Sequence, residues 1–320
     1  MEIFIIFIIA AFFAINMGAP SFAGSFSTAA GSAAVTRRAA QVLFLVFALI
    51  GAMALGKEVA NTLSKGIIPG HLLDKQAVLI ILIAATLSLF TANMMHVPQS
   101  TSLSTIASIC GVGIHYNAVA WGKIQFLAIT WVISTTVCYC SIYAITRYIY
   151  PPRKRNFWVY ERIVNHRERL KNFVILTSCY KGFAQGTNNV ANAVGPLSAA
   201  GLIGTVPGLL IMGIFFGIGA FVFTGPLKTS SEKIVPLGLL TATIINLISG
   251  TITIIASKLG IPFPTVIAYT AAIFAIGNIK DGLDAMIGNP VTKKTLFTWC
   301  INPVVTLIVS FVLANIFLPK

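Results

Sequence analysis

Charged side chains are scarce in this chain. They account for 9% of its 320 residues, whereas 57% are hydrophobic, and a soluble globular chain carries about 25% charged residues. Apolar runs of helix length recur from end to end. The composition therefore excludes an ordinary soluble domain. It predicts an all-α polytopic protein of the cell (inner) membrane, with about ten to twelve membrane segments that include broken or re-entrant half-helices.

Acidic residues are rarer still, with eight against 22 Lys and Arg and a net charge of +14. Eight of the basic residues fall between Arg147 and Lys171. The positive-inside rule explains such a cluster as a cytoplasmic connection, so we expect the bilayer and not a nucleic acid as partner. The predicted parts are membrane repeat 1 (1–146), a basic cytoplasmic central loop (147–172) and membrane repeat 2 (173–320).

Sequence signatures of enzymes and metal proteins are missing. The five cysteines lie within apolar runs and none forms a CxxC pair, so neither redox nor zinc chemistry is indicated. No nucleophile–base pairing or metal-ligand cluster is visible. We expect no enzyme, no metal and no cofactor.

The sequence does contain two stretches that resemble each other. The stretch Gly182–Gly201 is rich in glycine and amides, and Asn16–Ser32 repeats its pattern at an offset of about 168 positions. Pro98 matches Pro262 at an offset of 164, and Trp131 matches Trp299 at 168. Three anchors in one order indicate a duplication. Two inverted-topology repeats are the arrangement typical of secondary transporters.

Each half supplies polar stretches that are poor spanning helices. Glycine loosens a helix, and inverted repeats bring such stretches together near the midplane, where backbone and hydroxyl donors form anion sites. The glycines predicted to break the helices are Gly18, Gly24, Gly186 and Gly195. The predicted substrate-binding residues are Ser21, Ser25, Thr28, Ser100, Thr101, Ser102, Asn188, Asn189, Asn192 and Thr265. The alternative is that these hydroxyls bond their own backbone and these glycines only allow close packing.

None of the eight acids falls in these polar stretches. Glu58 and Glu232 occupy segment ends beside Lys57 and Lys233. Each is either half of a solvated ion pair or a carboxylate that couples transport to protons.

In these features the chain resembles the PiT family of inorganic phosphate transporters. The family's GANDVANA-type motif is matched closely by Gly186–Pro196 (GTNNVANAVGP) and loosely by Gly18–Phe26. Its proline–Ser/Thr motif is matched by Pro98–Ser102 and weakly by Pro262–Thr265, and Gly225–Leu237 echoes the stretch before the second motif. The resemblance implies inverted halves, ion-driven uptake of an oxyanion and a homodimer.

The departures from the family pattern concern its acids. Where the family carries Asp in each motif, this chain has Asn189 and Ser21, and family Asn positions hold Pro20 and Gly24. Ser100 is retained, but its repeat partner is Pro264. The family's sulfate permease (CysP-type) branch looks similar in lacking the same acids.

The loss of these carboxylates favours one kind of anion over another. Phosphate near neutral pH still carries protons and benefits from an acceptor, whereas sulfate only accepts hydrogen bonds. Losing both acids also removes the anionic oxygens that a sodium site favours, which leaves proton coupling or a site completed by carbonyls. We therefore expect import of sulfate, or of thiosulfate or molybdate, by proton symport. The alternatives are a phosphate symporter coupled to Na⁺ or H⁺ and a passive anion channel.

Overall fold

A computed structural model describes residues 2–150, 154–222 and 238–319. Within these ranges the regular elements are helical. The first half contains α1 (Glu2–Gly31), α2 (Arg37–Lys65), a 3₁₀ turn (Gly70–Leu72), α3 (Lys75–Met94), α4 (Thr101–His115) and α5 (Trp121–Ile149). The second half contains α6 (Phe157–Asn165), α7 (Arg167–Asn189), α8 (Ala191–Ala199), α9 (Thr205–Val222), α10 (Leu239–Lys258), α11 (Thr265–Asp281), α12 (Leu283–Gly288) and α13 (Pro290–Phe317).

In the described part of the chain, seven of these helices are long and apolar enough to cross a membrane. They are α1, α2, α3, α5, α9, α10 and α13. The last part of α7 and helix α8 pack in the interior of this bundle, whereas α5 and α13 expose apolar side chains such as Val132, Ile133, Val304 and Ile308. The prediction of an all-α polytopic membrane protein is confirmed.

Close backbone approaches recur at the predicted offset. A Cβ atom on Gly18 would lie 1.9 Å from the carbonyl oxygen of Phe216, and one on Gly186 would lie 1.9 Å from that of Ala48. Gly186 lies 168 positions after Gly18, and Phe216 lies 168 positions after Ala48, which is the offset between the repeats in the sequence. This reciprocity between α1–α9 and α7–α2 is what a pseudo-twofold relation between halves produces. How the halves are oriented across a bilayer stays a prediction.

Helix α1 differs from the expectation of an interrupted segment. It continues through Gly18, Pro20 and Gly24 to Gly31. Proline lacks an N–H and so frees the carbonyl one turn earlier, but the side chain of Asn93 on α3 donates to that carbonyl, Asn16 O, at 3.0 Å. A distant residue therefore replaces the missing backbone bond, and the helix does not break.

The corresponding interruption in the second half is present but short. Helices α7 and α8 are separated only by Val190, which itself has helical backbone angles. The Asn192 amide donates to the carbonyl oxygen of Asn189 at 3.1 Å. Such a side-chain bond competes with the helical ladder. The break lies between Gly186 and Gly195, and Gly195 itself packs against Leu63 and Ala60 of α2.

Candidate functional site

Two helices of less than full membrane length begin next to each other at the centre of the fold. Helix α4 follows an extended segment and is capped by Ser100, whose Oγ accepts from Leu103 N at 3.3 Å. Helix α11 begins at Thr265 after a matching extended segment. Their positive N-terminal ends carry backbone donors that favour negative charge.

Symmetrical tryptophans hold these two extended segments. The indole N–H of Trp131 donates to Pro262 O at 2.8 Å, and that of Trp299 donates to Pro98 O at 2.8 Å. The segments also contact each other, because Ser102 Oγ donates to Phe263 O at 3.1 Å. The residues used as repeat anchors in the sequence therefore position the starts of α4 and α11.

Asn188 supports the second extended segment. Its Nδ2 donates to Ser257 Oγ and Ile261 O, each at 3.0 Å, and its Oδ1 accepts from Phe263 N at 2.9 Å. The amide is fully occupied by bonds within the protein. Asn188 thus positions the loop before α11.

Asn189 is the centre of a group of contacting polar side chains, which we call the polar cluster. Its Nδ2 donates to Ser21 Oγ at 2.9 Å and to Gln185 Oε1 at 2.8 Å, and lies 3.3 Å from Thr265 Oγ1. Its Oδ1 accepts from Thr101 Oγ1 at 3.2 Å. The cluster consists of Ser21, Thr101, Ser102, Gln185, Asn189, Asn192 and Thr265, from helices α1, α4, α7, α8 and α11.

Asn192 extends the cluster toward the start of α4. Its Nδ2 lies 3.3 Å from Thr101 Oγ1 and 3.4 Å from Ser102 Oγ. Thr265 Oγ1 in turn donates to Gln185 Oε1 at 2.7 Å. Six predicted binding residues therefore meet in one place, and they come from both halves of the chain.

The polar cluster is closed in this conformation. The exposed fraction of each of its side chains is 2% or less, and most of its donors are bonded to acceptors within the cluster. Two atoms are buried without a hydrogen-bond partner, Gln185 Nε2 and Asn192 Oδ1. An unpaired buried polar atom costs about 1–3 kcal/mol. A ligand that exchanges bonds with the cluster, or a change of conformation, would relieve this cost.

No acid belongs to the polar cluster, but a buried amine lies on the same helix. Lys181 on α7 is fully buried, and its Nζ donates to Thr253 Oγ1 at 3.4 Å. Lys181 is not among the residues predicted from the sequence. The feature that could have indicated it is a single lysine inside an apolar run, two helical turns before Asn189 and on the same face of the helix.

Other predicted binding residues lie outside the cluster. Ser25 Oγ donates to Ser21 O at 2.8 Å, which is the local backbone bond expected of serine in a helix. Ser100 caps α4, Asn188 holds the loop, and Thr28 lies half-buried further along α1. Gly24 faces Gln185 and Tyr269 at van der Waals distance.

Of the two candidate coupling carboxylates, the described one, Glu58, does not join the site. Glu58 is exposed in the last part of α2, and none of the ion pairs in the described ranges includes it. Glu232 lies outside the described residues, as does the whole stretch Gly225–Leu237 that resembles the family. Within the described ranges no three potential metal ligands cluster together.

Comparisons with known proteins agree with this architecture. The family described as "Phosphate transporter family" matches residues 17–314. The sulfate permease CysP of Bacillus subtilis is 32% identical over 309 residues, covering 96% of this chain and 86% of that protein. A Thermococcus kodakarensis protein, provisionally named a phosphate permease, is 26% identical over 92% of this chain and 93% of its own.

A solved structure shares the fold. The chain titled "The sodium-dependent phosphate transporter" superposes with a TM-score of 0.83 at 22% identity, covering 98% of both chains. The family match spans nearly the whole sequence, and the identity to the sulfate permease extends over the same length. The chain belongs to the phosphate transporter family.

Proposed function

We propose that this member of an anion-transporter family is a secondary active transporter that imports sulfate, or a close tetrahedral oxyanion such as thiosulfate or molybdate, by proton symport. The observation that carries the proposal is the centre of the polar cluster. Asn189 stands there, where the family resemblance leads one to expect Asp, and it is surrounded by hydroxyl and amide groups. The binding residues we propose are Ser21, Thr101, Ser102, Asn189, Asn192 and Thr265.

The donor set favours a fully ionised anion. Sulfate has only acceptor oxygens, so each hydroxyl, amide and helix-end N–H can donate to it. Protonated phosphate also brings O–H donors, for which the neutral amide oxygens of the cluster are weaker acceptors than a carboxylate would be. A site that leaves a buried polar group unpaired discriminates strongly against the wrong ligand. Replacement of the expected acid by Asn189 and Ser21 therefore supports sulfate over phosphate.

The closed geometry supports a transporter over a passive channel. A continuous pore would expose the polar groups that line it, whereas these side chains are 2% exposed or less. The cluster also joins the two halves, since Ser21 and Thr101 of the first half bond Asn189 of the second. Movement of one half against the other would open the cluster to one side at a time.

The same proposal includes the topology, the oligomeric state, the location and the coupling ion. The central loop (147–172) lies in the cytoplasm, because its basic residues obey the positive-inside rule. The halves are inverted repeats, the functional unit is a homodimer, and the location is the cell (inner) membrane. Loss of both family acids disfavours a sodium site and thereby favours the proton as coupling ion.

Uptake of labelled sulfate and phosphate into vesicles containing the purified protein tests the proposal. With an inwardly directed proton gradient, we expect sulfate to accumulate beyond its electrochemical equilibrium, and a protonophore to abolish the excess. Protein-free vesicles are the control. Accumulation that reaches only equilibrium would instead identify a channel. Phosphate uptake that exceeds sulfate uptake, or a requirement for Na⁺, would identify a phosphate or sodium-coupled carrier.

A further inference from the structure

Lys181 is a lysine in an unusual setting. Its side chain has no solvent exposure and is among the largest fully buried side chains in the described part of the chain. Thr253 Oγ1 donates to Ser249 O at 2.7 Å, so its lone pairs are left to accept from Lys181 Nζ at 3.4 Å. A protonated amine has three donors. One long bond to a hydroxyl leaves such a group poorly satisfied.

Among the described residues, the groups around Lys181 carry no fixed negative charge. On the elements packed against this part of α7, the segments Phe13–Gly31 of α1, Ala39–Gly56 of α2 and Leu239–Ser257 of α10 contain no titratable residue. Beyond them, α5 contributes the thiol of Cys138. Among the described residues, the ion pair formed is that of Lys171 with Glu168, far toward the start of α7.

Lys181 lies close to the polar cluster along α7 and α10. Gln185 follows it by one turn and Asn189 by two, on the same face of α7. On α10, Ser257 comes one turn after Thr253, and its Oγ bonds Thr187 at 2.9 Å and Asn188 at 3.0 Å. Thr253, which bonds the amine, precedes Ser257 by one helical turn. Along the axis of α10 the amine therefore lies roughly 5 Å from the level at which Asn188 holds the loop before Thr265.

We propose that Lys181 binds the proton that is transported with the anion. This inference rests on the proposed function and adds the group that couples the two ions. An ammonium buried without a counter-charge is costly, whereas a divalent oxyanion in the adjacent cluster supplies that charge. The neutral amine therefore takes a proton from external water when the anion binds. When the anion leaves on the inside, the ammonium returns the proton to internal water.

Two substitutions of Lys181 should both abolish proton uptake but should differ in their effect on sulfate binding. Lys181→Met removes the charge and keeps an unbranched apolar stem, and replacing a buried charge by an apolar group is often neutral for folding. Lys181→Arg keeps a positive charge that does not dissociate. The matched control is Lys171→Met, which removes a partly exposed lysine from the same helix.

Proton uptake on addition of sulfate to the detergent-solubilised protein is the measurement, made with a pH-indicator dye in weak buffer beside sulfate-binding calorimetry. We expect wild type and Lys171→Met to take up about one proton per bound anion. Lys181→Met should take up none and bind sulfate about tenfold more weakly or worse. Lys181→Arg should bind sulfate without proton uptake, and its vesicle uptake should not respond to a pH gradient.

The outcomes separate the two proposals. If wild type binds and transports sulfate with proton uptake, and Lys181→Met retains that uptake in full, Lys181 is not the coupling group. Loss of proton uptake in Glu232→Gln with its retention in Lys181→Met would assign the role to that carboxylate. If wild type shows no sulfate-dependent proton uptake and no gradient-driven transport, the proposed function itself fails, whatever Lys181 does.

Discussion

The two halves of the molecule repeat their scaffold but not their chemistry. A Cβ atom added to Gly18 would lie 1.9 Å from a backbone oxygen of α9, and one added to Gly186 would lie 1.9 Å from a backbone oxygen of α2. Trp131 and Trp299 make equivalent bonds to Pro262 and Pro98. These contacts fix where backbones cross and where the short helices begin. A scaffold of two equivalent halves is suited to exchanging two conformations of equal packing.

The polar residues are distributed unequally between the halves. Ser21 in the first half faces its repeat partner Asn189, and the position equivalent to Lys181 is the buried Phe13. The first half contributes only hydroxyls to the polar cluster, whereas the second half contributes the hydroxyl of Thr265 and the three amides, with the buried amine nearby. The scaffold uses both halves equally, whereas the proposed anion and proton chemistry assigns the larger part to α7 and α8.

Breaking the scaffold should have the largest effect, and it should be equal in both halves. Gly186→Ala and Gly18→Ala each place a Cβ atom 1.9 Å from a backbone oxygen of the neighbouring helix. We expect each to lower the free energy of unfolding by about 3 kcal/mol or more. Thermal unfolding in detergent measures this. Gly122→Ala, where nothing lies within 4 Å, is the control. A stable Gly18→Ala beside an unfolded Gly186→Ala would contradict the equivalence.

Restoring an acid at the centre of the cluster should change the selectivity. Asn189→Asp replaces the donor that faces Ser21 Oγ and Gln185 Oε1 by an acceptor oxygen. We expect sulfate uptake to fall about tenfold or more and phosphate to become the stronger competitor. Competition for uptake of labelled sulfate measures both effects. Asn315→Asp, in the exposed last turns of α13, is the matched control. Unchanged selectivity would mean that the missing carboxylates do not select the anion.

Removing one hydroxyl from each short helix should have a moderate effect in both halves. Thr101→Ala loses the group that joins Asn189 and Asn192, and Thr265→Ala loses the group that joins Gln185 and Asn189. One hydrogen bond to a charged ligand corresponds to about 1.5–3 kcal/mol, or roughly tenfold to a hundredfold in affinity. Sulfate-binding calorimetry checks this. Thr91→Ala, which loses only a local backbone bond on α3, is the control. A change confined to one half would exclude the other threonine from the site.

Removing the tryptophan bonds should have the smallest effect. Trp131→Phe and Trp299→Phe each delete one N–H that donates to a proline carbonyl, at 2.8 Å in both cases. We expect a loss of about 1 kcal/mol in stability for each, with a modest loss of sulfate affinity. Parallel unfolding and binding measurements compare the pair. Trp121→Phe, at the exposed start of α5, should leave both values unchanged. A large loss in only one of the pair would show that the loops are not held equivalently.

The sequence predicted the class and the family because these depend on strong local signals. Low charge, recurrent apolar runs and the GTNNVANAVGP motif are read directly from the chain. The offset between Ser21 and Asn189 also foretold that residues of the two halves would meet, and these two are in direct contact. Repeat partners meet in this way when they lie near the axis that relates the halves.

Long-range contacts account for what the sequence did not show. Pro20 and the glycines around it predict a break in α1, but Asn93 from another helix satisfies the freed carbonyl. Asn188 resembles its neighbours in sequence, yet its partners are in the loop before α11. Lys181 could not be identified from the sequence because only the fold shows that it is buried and that, among the described residues, it bonds Thr253.

The relative affinity for sulfate and phosphate tests the central claim most directly. Equilibrium binding of both anions to the purified wild-type protein at neutral pH, each displacing the other, gives this ratio without reference to the coupling ion. A cluster of donors with no carboxylate predicts that sulfate binds about tenfold more tightly or better. Equal affinities, or tighter binding of phosphate, would contradict the account.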